Sequence, residues 1–232
     1  MLQTRGRALL SVPALMGLYV LLALALKPLR DQLTVGGYTV EFSTAAALVL
    51  SMGVMAWTFR QEGSLASLGF FRPRSWLRAV ALGAVGVPGI YAGAAVVVLP
   101  LVALGGLQSP ADSGTLLVSG PNPQVALVSS LALMWVNAAL CEEVLFRGFL
   151  LHRVALAFGD HRSAQIGAAA FTGLSFGVMH VFSQGLYGMV LTSVVGFLLG
   201  LLFLLGGRNL VPVVIAHGLI NTLSFVSIAS GG

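Results

Sequence analysis

Apolar runs of about twenty residues follow one another along the whole chain, at 8–26, 43–59, 79–104, 124–158, 163–182, 186–205 and 210–228. A helix rises about 1.5 Å per residue, so each run approaches or exceeds the length that crosses about 30 Å of hydrocarbon. The runs lack the alternation of a half-buried strand, and a backbone inside lipid must satisfy its polar groups internally. The expected fold class is therefore all-α: a polytopic transmembrane bundle of about seven spans, with room for an eighth. Composition agrees. With 57% hydrophobic and 8% charged residues and a mean hydropathy of +0.97, the chain lacks the polar surface to cover a water-soluble globule.

No shift in composition marks a linker, so residues 1–232 are read as a single integral membrane domain, with a helical core at 124–230. The first run has Arg5 and Arg7 before it but is too long for a signal peptide and lacks a small-residue cleavage site, so it is read as the first span. The net charge of +5 comes from cations scattered singly, which argues against a nucleic-acid partner and for topology signals. A cytoplasmic amino terminus leaves Arg5, Arg7, Arg60, Arg72, Arg74, Arg78, Arg147, Arg153, Arg162 and Arg208 inside and only Lys27 and Arg30 outside, a strong positive-inside bias. The Gly-, Pro- and Ser-rich stretch 105–123, with Asp112 its only charge, becomes the longest outer loop, and 68–76 lies at the inner interface. The expected location is the cell membrane, with lipid as the first partner. Cys141 alone makes neither a disulfide nor a thiolate metal site and reads as a small packing residue. Gly89 with Gly93, and Gly196 with Gly200, have the spacing that lets helices pack closely.

Polar residues on three of the apolar segments break this pattern. The fourth carries Glu142 and Glu143 side by side, and burying carboxylates in lipid is costly. Glu143 and Arg147 are four apart and share a helix face where they can pair; Glu142, turned about 100° away, has no local partner. Phe176 and His180 follow on the next segment, and His217 and Asn221 share one face of the last. Each has a plain structural reading, as a helix exit or an interhelical hydrogen bond, but three polar stations on three helices point to a shared interior pocket. If the fourth and fifth helices turn near Asp160, Glu142 and His180 lie ~27 and ~30 Å from that turn and come level. His217, ~13 Å past Arg208, does not reach that height without a tilt or a different hairpin height. The inventory suits water activation: a carboxylate as general base, an imidazole to orient the water, and His plus Asn as oxyanion donors. A Ser or Cys nucleophile fits less well, because no serine has a histidine beside it in the sequence.

The pattern Glu142-Glu143-x-x-x-Arg147, Phe176-x-x-x-His180 and His217-x-x-x-Asn221, each on its own apolar helix, resembles the CPBP family of CAAX prenyl endopeptidases and bacteriocin-processing proteins, also called abortive-infection-type membrane proteases. The similarity covers mainly 124–230, and the Leu-Gly-Phe-Phe-Arg-Pro stretch at 68–73 looks like the segment before the core in many members. The resemblance implies an intramembrane endopeptidase in which Glu142 is the general base and His180 shares in activating water. In that scheme His217 and Asn221 stabilise the oxyanion, while Glu143 and Arg147 support them. It leaves the cofactor open: Glu142, His180 and His217 could form a zinc site, but there is no His-Glu-x-x-His motif, and metal-free glutamate activation is preferred. The resemblance does not carry over a substrate; the substrate class expected for a site within the membrane is a membrane-associated or lipidated protein or peptide tail. Two other readings use the same pocket: a non-catalytic membrane adaptor or immunity protein, and a proton-coupled transporter, disfavoured for want of a two-half repeat.

Overall fold

A computed structural model describes residues 2–26, 33–40, 45–108, 116–159 and 161–230, with side chains in the first helix described from residue 10 onward. The expected turn residue Asp160, the cations Lys27 and Arg30, and the centre of the expected outer loop with Asp112 lie outside the described residues.

The chain is a helical membrane bundle. Helix α1 spans Leu2–Leu26, α2 Ala45–Glu62 and α3 Trp76–Ala103. A fourth helical run, Pro123–Phe158, comprises α4 (Pro123–Met134), π-helical segments at Trp135–Glu142 and Val144–Leu151, and α5 (His152–Phe158). It continues into α6 (Arg162–Leu205), broken at Gly185, and α7 (Leu210–Ala229). Among the described residues, five segments are long and apolar enough to cross a membrane: α3, the Pro123–Phe158 run, the α6 arms Arg162–Val181 and Ser183–Leu205, and α7. The first two expected spans form as helices too, α1 at Leu2–Leu26 and α2 at Ala45–Glu62.

Gly185 has φ 63° and ψ −164°, a non-helical conformation at which α6 reverses. Its arms fold back along a seam of small residues: Gly200 lies on Ala169, Gly173 on the backbone of Phe197, and Gly177 on Ser193 and Met189. A methyl added at any of these three glycines would come within 3.0 Å of its neighbour. Close backbone approach through small residues is the main route to helix association where lipid removes the hydrophobic drive. The expected packing at Gly196 and Gly200 is present, and Gly93 meets Leu198, but Gly89 has no neighbour within 4 Å.

Two features depart from the expected all-helical layout. Strands β1 (Leu33–Val35) and β2 (Tyr38–Val40) form an antiparallel hairpin, and β3 (Val118–Ser119) pairs with β2. Gly36 and Gly37 both have positive φ, as the tight hairpin turn between β1 and β2 requires. The expected outer loop is thus partly stitched to the segment after α1, and Val118 N–H donates to the buried Ser130 hydroxyl at 2.9 Å.

The second is the level of the turn between α6 and α7. Leu210 N–H donates to Gly69 carbonyl at 3.2 Å, Asn209 Nδ2 to Phe71 carbonyl at 2.6 Å, and a Cβ at Gly148 would sit 2.6 Å from Leu68 carbonyl. The turn therefore sits beside Gly148, well before the fourth run ends at Phe158. Measured from that level, His217 lies ~10 Å beyond Leu210 and Glu143 only a short way before Gly148, so the different hairpin height removes the mismatch.

Candidate active site

The two carboxylates sit at the junction of the π-helical segments. π-Helix is rare and concentrates at functional sites. Its wider turn alters how Glu142, Glu143 and Arg147 are disposed around the axis compared with the α-helical spacing assumed from sequence, yet the Glu143–Arg147 pair forms. Arg147 Nη1 donates to Glu143 Oε1 at 2.7 Å, with the two side chains 1% and 0% exposed. Arg147 Nη2 donates to Gly196 carbonyl at 2.8 Å, and the guanidinium lies 5.0 Å from the Phe176 ring centre. One buried cation thus ties the π-helical run to both arms of α6.

Glu143 Oε1 also meets His217 Nδ1 at 2.7 Å. A carboxylate paired with arginine is an acceptor, so Nδ1 carries the proton and Nε2 faces away from Glu143. His180 is held the same way: its Nδ1 lies 2.8 Å from Phe176 carbonyl, which can only accept. Both histidines therefore keep Nε2 free of the groups that hold them, the orientation a supporting partner imposes on a working imidazole.

Phe176, fully enclosed, is the centre against which these groups pack. Its ring lies 4.6 Å from His180, 6.0 Å from His217 and 5.0 Å from Phe146, centre to centre. Glu142, 8% exposed, interacts electrostatically with His180, His217, Glu143 and Arg147. The described hydrogen bonds of Arg147 go to Glu143 and Gly196, which leaves Glu142 as the carboxylate outside the buried ion pair. On α7, Asn221 Nδ2 is buried with no hydrogen-bond partner, a donor set aside one turn from His217. The six residues singled out from the sequence thus come to one region of the bundle.

Trp135, Gly218, Thr222 and Tyr19 in this region carried no sequence signal, unlike Cys141. Trp135 Nε1–H donates to Thr222 Oγ1 at 3.1 Å, and its ring presses on Gly218, where a Cβ would sit 2.6 Å from three ring carbons. These contacts fix the rotation of α7 beside both His217 and Asn221. Tyr19 of α1 interacts electrostatically with Glu142. Cys141 is buried and packs in the apolar core. Among the described residues no three His, Cys, Asp or Glu side chains stand close enough together to hold a metal ion.

Residues 124–223 match the family described as type II CAAX prenyl endopeptidase Rce1-like. The matched stretch runs from α4 into α7 and contains Glu142, Glu143, Arg147, His180, His217 and Asn221. No curated protein and no solved structure matches the chain.

Proposed function

We propose that this multi-pass membrane protein, similar over residues 124–223 to the Rce1-like type II CAAX prenyl endopeptidases, is an intramembrane endopeptidase that hydrolyses a peptide bond with water activated by Glu142. The observation that carries this reading is the division of labour between adjacent carboxylates. Glu143 is committed to Arg147 and His217, while Glu142, buried and outside that ion pair, stands near two imidazoles whose Nδ1 atoms are already engaged.

In this mechanism a water gives one hydrogen bond to Glu142 and one to His180 Nε2, and Glu142 takes its proton as the oxygen attacks the scissile carbonyl. The oxyanion then faces Asn221 Nδ2 and His217 Nε2. Donation from Nε2 requires the doubly protonated His217 ring, and the Glu143 carboxylate against Nδ1 supplies the compensating charge. Protonated Glu142 returns its proton to the leaving amine.

The substrate is proposed to be a membrane-associated or lipidated protein or peptide tail, since the site lies among membrane-spanning helices. The amino terminus is proposed to be cytoplasmic and the membrane the cell membrane, on the positive-inside bias of the cations. Residues 1–232 are proposed to act as one membrane domain, with 124–230 as its catalytic core.

The test is proteolysis in reconstituted membranes with pooled peptides carrying apolar or lipidated tails, comparing wild type with His180→Ala. Cleavage by wild type that is lost in a stably inserted His180→Ala supports the mechanism and identifies the substrate class. Binding of peptides without cleavage by wild type moves the protein to the adaptor reading.

A further inference from the structure

The face of α7 that carries His217 and Asn221 continues beyond the site toward the end of the helix. Ser224 and Ile228 lie three and seven residues past Asn221, positions that recur on the same helical face. A groove of about 340 Å³ opens there between α3 and α7, lined by Tyr91, Leu223, Ser224, Ser227 and Ile228. Its lining brings three hydroxyls together, those of Tyr91, Ser224 and Ser227.

A polypeptide entering a protease in extended form brings unpaired N–H and C=O groups, which lipid cannot satisfy. Hydroxyls both donate and accept, so they can pair with either group. The groove begins at Leu223, ~3 Å along the α7 axis from Asn221, and reaches ~10 Å to Ile228, adjoining the proposed site along the helix.

We propose that this groove binds the extended backbone of the substrate polypeptide on the side of the scissile bond away from the Arg208 turn, through the hydroxyls of Tyr91, Ser224 and Ser227. This rests on the endopeptidase reading. The groove positions the chain, while Glu142 and its neighbours act on the bond.

The experiment has a kinetic arm and a binding arm, both on the full-length protein in liposomes with a biotinylated pool of apolar-tailed and lipidated peptides. Replacing the three hydroxyls (Tyr91→Phe, Ser224→Ala, Ser227→Ala) should raise KM about tenfold and lower kcat by less than about twofold, the size of one or two lost hydrogen bonds. A purely structural role would instead reduce the folded fraction. In the binding arm, benzoylphenylalanine replaces Leu223 in the Glu142→Gln background, and light should cross-link it to the biotinylated peptide. Cleavage with unchanged KM and cross-links to lipid alone overturns the groove and leaves the endopeptidase reading intact. Peptide cross-links without any wild-type cleavage keep the groove and overturn the endopeptidase reading.

Discussion

His217 and Glu143 meet at 2.7 Å although 74 positions separate them in the chain, and the same carboxylate oxygen holds Arg147 at 2.7 Å. Glu143 thereby joins α7 to the π-helical run, and through the Arg147 bond to Gly196 it is linked to α6 as well.

Glu143→Ala is accordingly a stability mutation as well as a catalytic one. It leaves Arg147 buried without its counter-ion, a loss of about 3–5 kcal/mol. Thermal unfolding in detergent should shift sharply downward, whereas Glu142→Gln, which leaves the Arg147 pair intact, should unfold close to wild type. Equal destabilisation by both would refute the division of roles.

Asn221→Ala should lower kcat by about 10²–10³-fold with little change in KM, as expected for a donor that acts only on the developing oxyanion. If KM rises and kcat holds, Asn221 binds ground-state substrate instead.

Phe176→Leu keeps an apolar side chain but removes the ring on which Arg147, His180 and His217 pack. Small displacements of positioned groups are costly to rate, and a drop in kcat of about a hundredfold is expected while the protein remains inserted and folded. Near-normal kinetics would make Phe176 a filler.

Chelation by 1,10-phenanthroline should leave cleavage unchanged, because the proposed mechanism uses Glu142 and His180 without a metal. Activity lost on chelation and restored by zinc would overturn the metal-free mechanism while leaving Glu142 in the site.

Much of this architecture was legible in the sequence. Helices follow from runs such as 79–104 and 210–228, where length and apolarity leave lipid-compatible helix as the only solution. Glu142, His180, His217 and Asn221 stood out because polar groups are expensive in such runs. Three things were not legible. π-Helical winding at Trp135–Leu151 depends on tertiary packing, and no spacing rule in the sequence announces it. The level of the α6–α7 turn depends on contacts between Leu68–Phe71, Gly148 and Asn209, which counting from the nearest loop misses. Trp135 acts through Gly218 and Thr222, residues with no chemistry of their own to draw notice. The β1–β2 hairpin did have a signal, Gly36-Gly37 between β-branched and aromatic residues, overshadowed by the helical pattern around it.

The central claim is that Glu142 takes the proton from the attacking water, and its most direct test is single-turnover cleavage of a peptide identified in the library by purified wild type and Glu142→Gln in liposomes. The mechanism predicts that Glu142→Gln binds the peptide with wild-type affinity and cleaves it about 10²–10⁴-fold more slowly. Cleavage by the folded Glu142→Gln protein at the wild-type rate would contradict it.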